Sequence, residues 1–532
     1  LASILTRRKR KSAFLKQGAD YSCHLMQNTS EQIWKEYQEG CALLTRDGFY
    51  DRSEECHCFY AGDQWRYLQT DGERLPIYNM IEPIVKYKTA VVAQNNLTVN
   101  YSFDTSDHPA LTTIAHQAAR LLNRNARLLW EQNQMDQKCW EVVEDGCVTG
   151  ASYLYFYMQN GRVQAEVLDG VNLIFGDEQE QDIDEQPYIL IVQRRSVRQV
   201  KKEARANGID EQEIAQIFPD TDLLCQSGMD RLKENSLEEN RKCISILKFY
   251  KKDGNVCFTQ STKNCVYHPE TVLAGLSRYP IAPFIWARRK GSCRGRGAVE
   301  GLIANQIAVN KNLARMDIAI RRFAFPKLVY NAPRIQNVED IEKIGASIAV
   351  DDPNVRIGDL ISYVQPAGIN TLAYNFMGNM ITTTRELCGA GDAVTGQINP
   401  EQASGAAIVA VREAATLNLN FAVAQLSRFI EDVALIWYDL LRAYHPAGLT
   451  VESERIPGKL LQVLEPRVRI DLSPANPFSK FAQEQSLQNL LNAGYISFAE
   501  YVEALDEDAN APKEKLRSIL ATRAPMEAVV QE

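Results

Sequence analysis

Between Pro109 and about Val143, apolar residues recur at three- and four-residue spacing: Leu111, Ile114, Ala115, Ala118, Leu121 and Leu122, then Leu128, Leu129, Met135 and Val142. That period is one face of an α-helix, and it predicts a mainly helical first 150 residues. The texture changes between Gly150 and Val192. SYLYFYM, RVQAEVL and YILIVQR are short β-rich runs, and Asn160-Gly161 between the first two has the chemistry of a two-residue hairpin. A short helix is expected from Val197 to Ala206, then a polar, loop-like region through Glu239. A second hairpin follows, CISILKFYKK and NVCFTQST around Asp253-Gly254.

From Ala298 to Arg322 the pattern is helical again, but polar on most of its surface. Ile303, Ile307, Ala314 and Ile318 lie along one side, Gln306, Asn310, Asp317 and Arg321 along another, and Lys311, Arg315 and Arg322 along a third. Such a helix suits contact with neighbouring subunits and water better than a monomer core. After Pro326 a small α/β module is expected: the strand KLVYN, the helix VEDIEKIGA and the extended run ISYVQP. A second helix runs from Asn370 to about Leu387, so two helices of similar length bracket the module like struts.

GAGDAVTGQINPEQASG, Gly389–Gly405, is small, polar and glycine-rich, yet Asn399-Pro400-Glu401 has the grammar of a helix start. From there a helical pattern reaches Tyr444, where His445-Pro446 stops it. Its stripe is Leu419, Ala422, Leu426, Phe429, Ile430, Val433, Trp437, Leu440 and Leu441. A continuous helix there is about 65 Å long at ~1.5 Å per residue. Strands are expected around LLQVLEP and RVRIDLS. SLQNLLNAGYISFAEYVEAL reads as a helix, a glycine turn and a second helix opened by Ser497.

Length and composition narrow the class. At 532 residues the chain is long enough for several packed regions, and 45% hydrophobic with 24% charged residues is ordinary for a globular protein. A net charge of -8 argues against coating nucleic acid over the whole surface. No apolar stretch approaches the ~18–20 residues of a bilayer span, and LASILTRRKRKSAFLKQ lacks the order of a signal peptide, so a soluble, unexported chain is expected. Twelve cysteines without paired spacing fit reduced thiols, and Cys56-His57-Cys58 has no second ligand pair to complete a metal site. The acidic run Asp177, Glu178, Glu180, Asp182, Asp184 and Glu185 lacks EF-hand spacing and reads as a solvated loop.

Catalytic signatures are missing. The six histidines sit apart, and no G-x-S-x-G, H-E-x-x-H or P-loop occurs. Gly295-x-Gly297-x-x-x-Gly301 approaches a dinucleotide fingerprint, but its turn is crowded with arginines and no βαβ unit surrounds it. A nucleotide-binding α+β enzyme using that turn is one alternative reading; a ring-forming structural protein that threads no DNA is another.

Taken in order, these segments resemble the portal proteins of tailed bacteriophages. Gln64-Trp65 with Arg74-Leu75-Pro76-Ile77-Tyr78-Asn79 looks like the family's opening motif, and VLDGVNLIFGDEQEQDIDEQPYILIVQRRSV like its wing strand and acidic loop. GRGAVEGLIANQIAVNKNLARMDIAIRR is similar to the first stem helix. The resemblance implies a helix-rich α+β fold with wing, stem, clip and crown, assembled as a ring. Its parts would be an N-terminal segment without a family counterpart (1–58), wing (59–295), first stem helix (296–324), clip (325–368) and second stem helix (369–388). Tunnel loop (389–404), long helix (405–446), wing strands (447–475), and crown with C-terminal tail (476–532) follow.

The implied function is a channel at one capsid vertex for packaging, retaining and ejecting double-stranded DNA, without catalysis, metal or cofactor. Implied partners are further copies, usually making a dodecamer, the terminase large subunit, head-tail adaptors, major capsid protein and scaffold, but no membrane. The chain would be made in the bacterial cytoplasm and end in the virion. Asp392, Thr395, Gln397, Asn399 and Glu401 would line the tunnel loop. Lys311, Arg315, Asp317, Arg321 and Arg322 would either ring the stem channel or pair between subunits, the latter being favoured. Lys327, Asp340 and Glu342 would serve clip docking.

Overall fold

The computed structural model describes residues 29–66, 75–94, 96–103, 112–220, 241–323, 327–341, 343, 345, 347, 349–350, 356–364, 371–389, 417–451, 454–473, 487–505 and 515–516. Down the chain run α1 (Ser30–Arg46), α2 (Phe49–Ala61), α3 (Ile81–Ala93), β1 (Asn96–Phe103), α4 (Thr112–Gln132), α5 (Met135–Thr149), β2 (Ala151–Gln159), β3 (Arg162–Leu168), β4 (Leu173–Phe175), β5 (Tyr188–Ser196) and α6 (Val197–Ala206). Then come β6 (Lys242–Lys252), β7 (Asn255–Ser261), β8 (Val266–Leu273), β9 (Ile281–Ile285), α7 (Ile303–Phe323), β10 (Lys327–Tyr330), β11 (Ile361–Val364) and α8 (Thr371–Leu387). α9 (Asn420–Tyr444), β12 (Gly448–Val451), β13 (Glu454–Pro457), α10 (Gly458–Val463), β14 (Pro466–Ser473) and α11 (Phe498–Ala504) complete the series.

The chain divides into two compact units. The first takes residues up to Asp47, Asn172–Gly176 and Gln186–Ala274. Its antiparallel sheet has the order β4-β5-β6-β7-β8. The β6–β7 turn places Asp253 and Gly254 at φ 52° and 78°, as a type I′ hairpin requires. Cys243 and Lys248 lie five positions apart on β6 and so point to opposite faces. Cys243 joins a core with Val200 and Ala204 of α6, Ile214, Ile217 and Tyr267. On the other face Lys248, 5% exposed, meets Glu36 of α1 at 2.6 Å and lies over the rings of Tyr188 and Tyr250. The sheet is therefore a layer between two helices. α1 crosses β4 at Gly40, where a Cβ would sit 2.2 Å from Ile174 Cγ2.

The second unit holds the remainder. Its core gathers on α9, whose predicted stripe is buried throughout. Trp437 meets Trp130 of α4 and Phe156 of β2 edge-on, with centroids 6.4 and 6.0 Å away, and Phe429 meets Phe284 of β9 at 6.1 Å. β9, β2 and β3 form an antiparallel sheet in the order β3-β2-β9. β1 pairs with β14 along its whole length, from Asn96↔Ser473 to Phe103↔Pro466. The long polar helix is α7, and it packs against α8; β10 and β11 form a two-stranded ladder between them in sequence.

Several sequence expectations change. The helical run after Pro109 is two helices in the described part, broken where Gln134 takes φ 51°. β1 and β8 were not foreseen. The expected helix VEDIEKIGA is, where described, only a 3-10 turn at Val338–Asp340, and the expected strand LLQVLEP is instead α10 and the coil behind it. α9 is described for 25 residues, about 38 Å at ~1.5 Å per residue, so the earlier part of the expected long helix lies outside the described residues. The N-terminal segment of unassigned role contains α1 and most of α2, and Cys56-His57-Cys58 lies on that second helix, with both thiols buried. Among the described residues no cluster of three or more His, Cys, Asp or Glu is placed to hold a metal ion.

The close crossing of α1 over β4 gives a stability test. Gly40→Ala should cost about 1–3 kcal/mol, because the added methyl must displace a packed isoleucine. Denaturant unfolding should show a smaller cost in an Ile174→Ala background. Equal costs in both backgrounds would contradict this contact.

Candidate interaction surfaces

Burial falls along α7. Ile303, Gln306, Val309, Asn310 and Ala314 are buried, whereas Arg315, Ile318, Ile320 and Arg321 are exposed. Gln306 and Asn310, one turn apart, are 0% and 2% exposed, so the polar side expected to face neighbouring subunits is partly spent inside the chain. Their carboxamides hold the extended backbone before α3. Gln306 Oε1 accepts from the Met80 N–H (3.0 Å), its Nε2 donates to the Tyr78 carbonyl (2.6 Å), and Asn310 Oδ1 accepts from the Tyr78 N–H (3.1 Å).

Two more carboxamides complete the network. Asn310 Nδ2 donates to Gln64 Oε1; Gln64 Nε2 donates to the Phe59 carbonyl (2.9 Å) and Asn79 Oδ1 (3.0 Å); Asn79 Nδ2 donates to the Tyr60 carbonyl (3.0 Å). An extended segment without a strand partner needs its amides satisfied some other way, and here side chains do it. The structure thus brings the Gln64 and Tyr78-Asn79 motifs onto the helix that carries Gln306 and Asn310. Sequence reading named both segments without joining them; four carboxamides among apolar neighbours were the available signal.

The remaining site residues divide clearly. Asp317 and Arg321 pair within α7 at 2.8 Å, so Arg321 has a partner in its own chain. Lys311 and Arg315 are exposed and make no ion pair among the described residues. The side chains of Arg322 and Lys327 and all of Glu342 lie outside the described residues, as do Asp392, Thr395, Gln397, Asn399 and Glu401. Asp340 pairs with Lys343 at 2.7 Å and accepts from Asn337 at 3.1 Å; the Lys343 hydrogen bond, then the Asn337 one, hold its carboxyl below the ordinary range. Asn337 also donates to the Ser347 carbonyl and accepts from the Ala349 N–H, both at 2.7 Å, which shapes the segment between β10 and β11.

Large apolar side chains stand out along the two struts and the ladder. Ile318, Ile320, Val329, Tyr330, Tyr374 and Phe376 are all at least 40% exposed in the single chain. A soluble monomer rarely leaves so much apolar surface exposed on neighbouring elements, and such surface is characteristic of partner contacts.

The glycine turn at 295–301 serves packing. A Cβ on Gly295 would lie 2.2 Å from the Gly150 carbonyl oxygen, and one on Gly297 2.4 Å from that of Val148. Arg296 N–H donates to Ala287 O (2.8 Å) and Ala298 N–H to Cys147 O (2.7 Å), so these amides are spent on backbone and not free to cradle a phosphate. The acidic run is also more than a solvated loop. Glu178 takes Arg294 bidentately, both contacts 2.9 Å, while Arg294 donates to the Gly170 carbonyl (2.8 Å) and lies 4.2 Å over the Phe49 ring. Burial alone would lower the Arg294 pKa; the charge of Glu178 outweighs it and raises the pKa above its ordinary value. Asp184 accepts from the Tyr279 N–H at 3.0 Å and faces Arg278 at 3.5 Å.

Residues 225–452 match the family model described as Phage P22-like portal protein, which bears out the resemblance to phage portal proteins. The matched span includes β6 to β9, both strut helices, the ladder between them and α9. No curated protein matches the chain. Among the described residues no helix is long and apolar enough to cross a membrane.

Gln306→Leu keeps the volume but strands the Met80 N–H and the Tyr78 carbonyl. Each buried group left unsatisfied costs about 1–3 kcal/mol. The variant should melt earlier and be cut faster by protease near residues 75–80, read by mass spectrometry. An unchanged cleavage pattern would show that the network does not hold this segment.

Proposed function

We propose that this chain is the subunit of a phage portal: a closed ring at one capsid vertex through which double-stranded DNA is packaged, held and released. The match over residues 225–452 carries the reading, because it falls on a strut, a ladder, a second strut and a long buried helix in that order. The exposed apolar side chains on the struts and ladder support assembly with further copies, and cyclic symmetry would repeat each element around a common axis.

In this reading α7 and α8 are stem helices, β10 and β11 belong to a clip that meets the terminase motor and later head-tail adaptors, and Gly389–Ser404 is the tunnel loop. That loop contains no Lys or Arg. Strong phosphate pairing would brake a sliding duplex, whereas Thr395, Gln397 and Asn399 offer weak polar contacts and Asp392 mild repulsion. Lys311 and Arg315, exposed and without an ion-pair partner among the described residues, are stem cations available for channel or intersubunit contact. The role is structural rather than catalytic, and the ring would reside in the virion.

Cryo-EM of the purified chain, viewed down its symmetry axis, is the test. A closed ring, a dodecamer if the usual family count holds, with a centre wide enough for a duplex supports the reading; a monomer or dimer stable across concentration and salt overturns it. Replacing Gly389–Ser404 by a short rigid linker should leave rings intact and cut DNA packaging or retention. Normal packaging by that ring would sink the tunnel-loop role.

A further inference from the structure

Three elements of the second unit lie side by side over α9. α4 meets that helix through Trp130 and Trp437, β1 through the Tyr101 hydroxyl on the Ala434 carbonyl, and β14 packs on it as well. α4 runs along the edge of β1 that β14 leaves open, where Asn123 Oδ1 accepts the Tyr101 N–H at 2.6 Å. With their inner sides held on one helix, the three turn their outer sides to solvent together.

That outer surface is basic. Ala118, Leu122 and Leu129 of α4 and Val99 and Tyr101 of β1 are buried. The opposite side of α4 carries Arg120, Arg124 and Arg127 at four- and three-residue spacing, all exposed, over about 10 Å at ~1.5 Å per residue. The outward positions of β14 carry Arg467 and Arg469, also exposed, opposite Ser102 and Asn100 in the ladder. Against these five arginines the three elements hold two acids, Glu131 and Asp471. Arg120, Arg127 and Arg469 make no ion pair among the described residues. This surplus of positive charge stands on a chain whose net charge is -8.

The residues among the arginines indicate what they meet. Asn100, Ser102 and Gln117 are amide and hydroxyl side chains, and arginine together with such groups is the set that contacts nucleic-acid phosphate. A protein partner would require an aromatic or similar anchor at the centre of the face. Tyr101, Phe103 and Trp130, the aromatic residues of the three elements, all pack inward on α9 instead. Duplex DNA presents one negative charge per ~1.7 Å of its axis, so a row of arginines finds phosphates in any register.

We propose that the outer face of α4, β1 and β14 binds the phosphate backbone of double-stranded DNA, without regard to base sequence, on residues other than those of the tunnel loop and the stem. The inference rests on the reading of this chain as a DNA-handling portal subunit and adds a second surface on which each copy holds the duplex. Arg120, Arg124, Arg127, Arg467 and Arg469 would be its phosphate contacts.

The test is a salt titration of the full chain against a short labelled duplex of mixed sequence. Arg120→Gln, Arg127→Gln and Arg469→Gln together remove three phosphate contacts, which should lower the slope of log affinity against log salt by about 2.7 and weaken binding about tenfold at low salt. The melting temperature should not move, because the three side chains are exposed. The same three positions changed to Lys should keep the slope, since counterion release follows charge. An unchanged slope in the Gln variant, an equal loss in the Lys variant, or a wild-type chain that binds no duplex overturns the surface. So does a Gln variant that binds DNA normally but forms fewer rings, which would make the face a contact between copies. Ring closure of the wild-type chain tests the portal reading separately, because the titration reads DNA binding whether or not the ring has closed.

Discussion

The second unit depends on the buried apolar stripe of a single helix. α9 has Leu426, Phe429, Ile430, Val433 and Trp437 at or near zero exposure, and its neighbours come from distant parts of the chain. Trp437 touches α4 and β2, Phe429 touches β9, and the Ala434 carbonyl accepts the Tyr101 hydroxyl of β1 at 2.7 Å. The Tyr438 hydroxyl lies 2.7 Å from the carbonyls of Leu461 and Leu464 at the end of α10. Edge-to-face aromatic contacts are worth about 0.5–1.5 kcal/mol each beyond the area they bury, so the cluster fixes orientation as well as burial. The stretch from Val433 to Leu441, buried at nearly every position, holds these distant segments in one place.

α7 and α8 obey a different rule. α7 is bound in its first half by amide chemistry and is largely exposed beyond Ala314, and among its described side chains α8 buries Thr384, which receives a hydrogen bond from Asn305 at 3.1 Å. Gln306 and Asn310 therefore stand at the root of a strut. Polar groups with specific geometry resist rotation of the helix about its axis better than an apolar contact, which is non-directional. The same helix can thus be firmly registered at one end and present Arg315 and exposed isoleucines toward the other.

Much of this was legible. Hairpins with Asn160-Gly161 and Asp253-Gly254 announce themselves because positive φ is chemically restricted, and Asn160 and Asp253 take it at 52° each. The stripe of α9 and the capping box of Ser497 and Glu500 follow from local spacing. What escaped depends on partners far away in sequence. β1 is a strand because β14 lies beside it, LLQVLEP is not one because α10 packs under β12 and β13, and Gln306 is buried because a segment more than two hundred positions earlier needs its amides satisfied. Gly295 and Gly297 carried a nucleotide signal by spacing alone, whereas their reason is the backbone of α5 at contact distance.

The β1–β14 ladder also sets a timetable. Its strands come from opposite ends of the second unit, so no local fluctuation forms it, and loop closure of that span is slow compared with hairpin formation. The first unit's sheet is complete in sequence by Leu273 and needs only short loops and one longer connection. A ribosome would release that sheet to fold early, while the second unit waits for residue 473 before its outer ladder can close. Until α9 has been made, the apolar faces of β2, β9 and α4 that it covers stand open. The second unit's framework thereby stays open until residue 473 has been made, well after the first unit's sheet is complete in sequence.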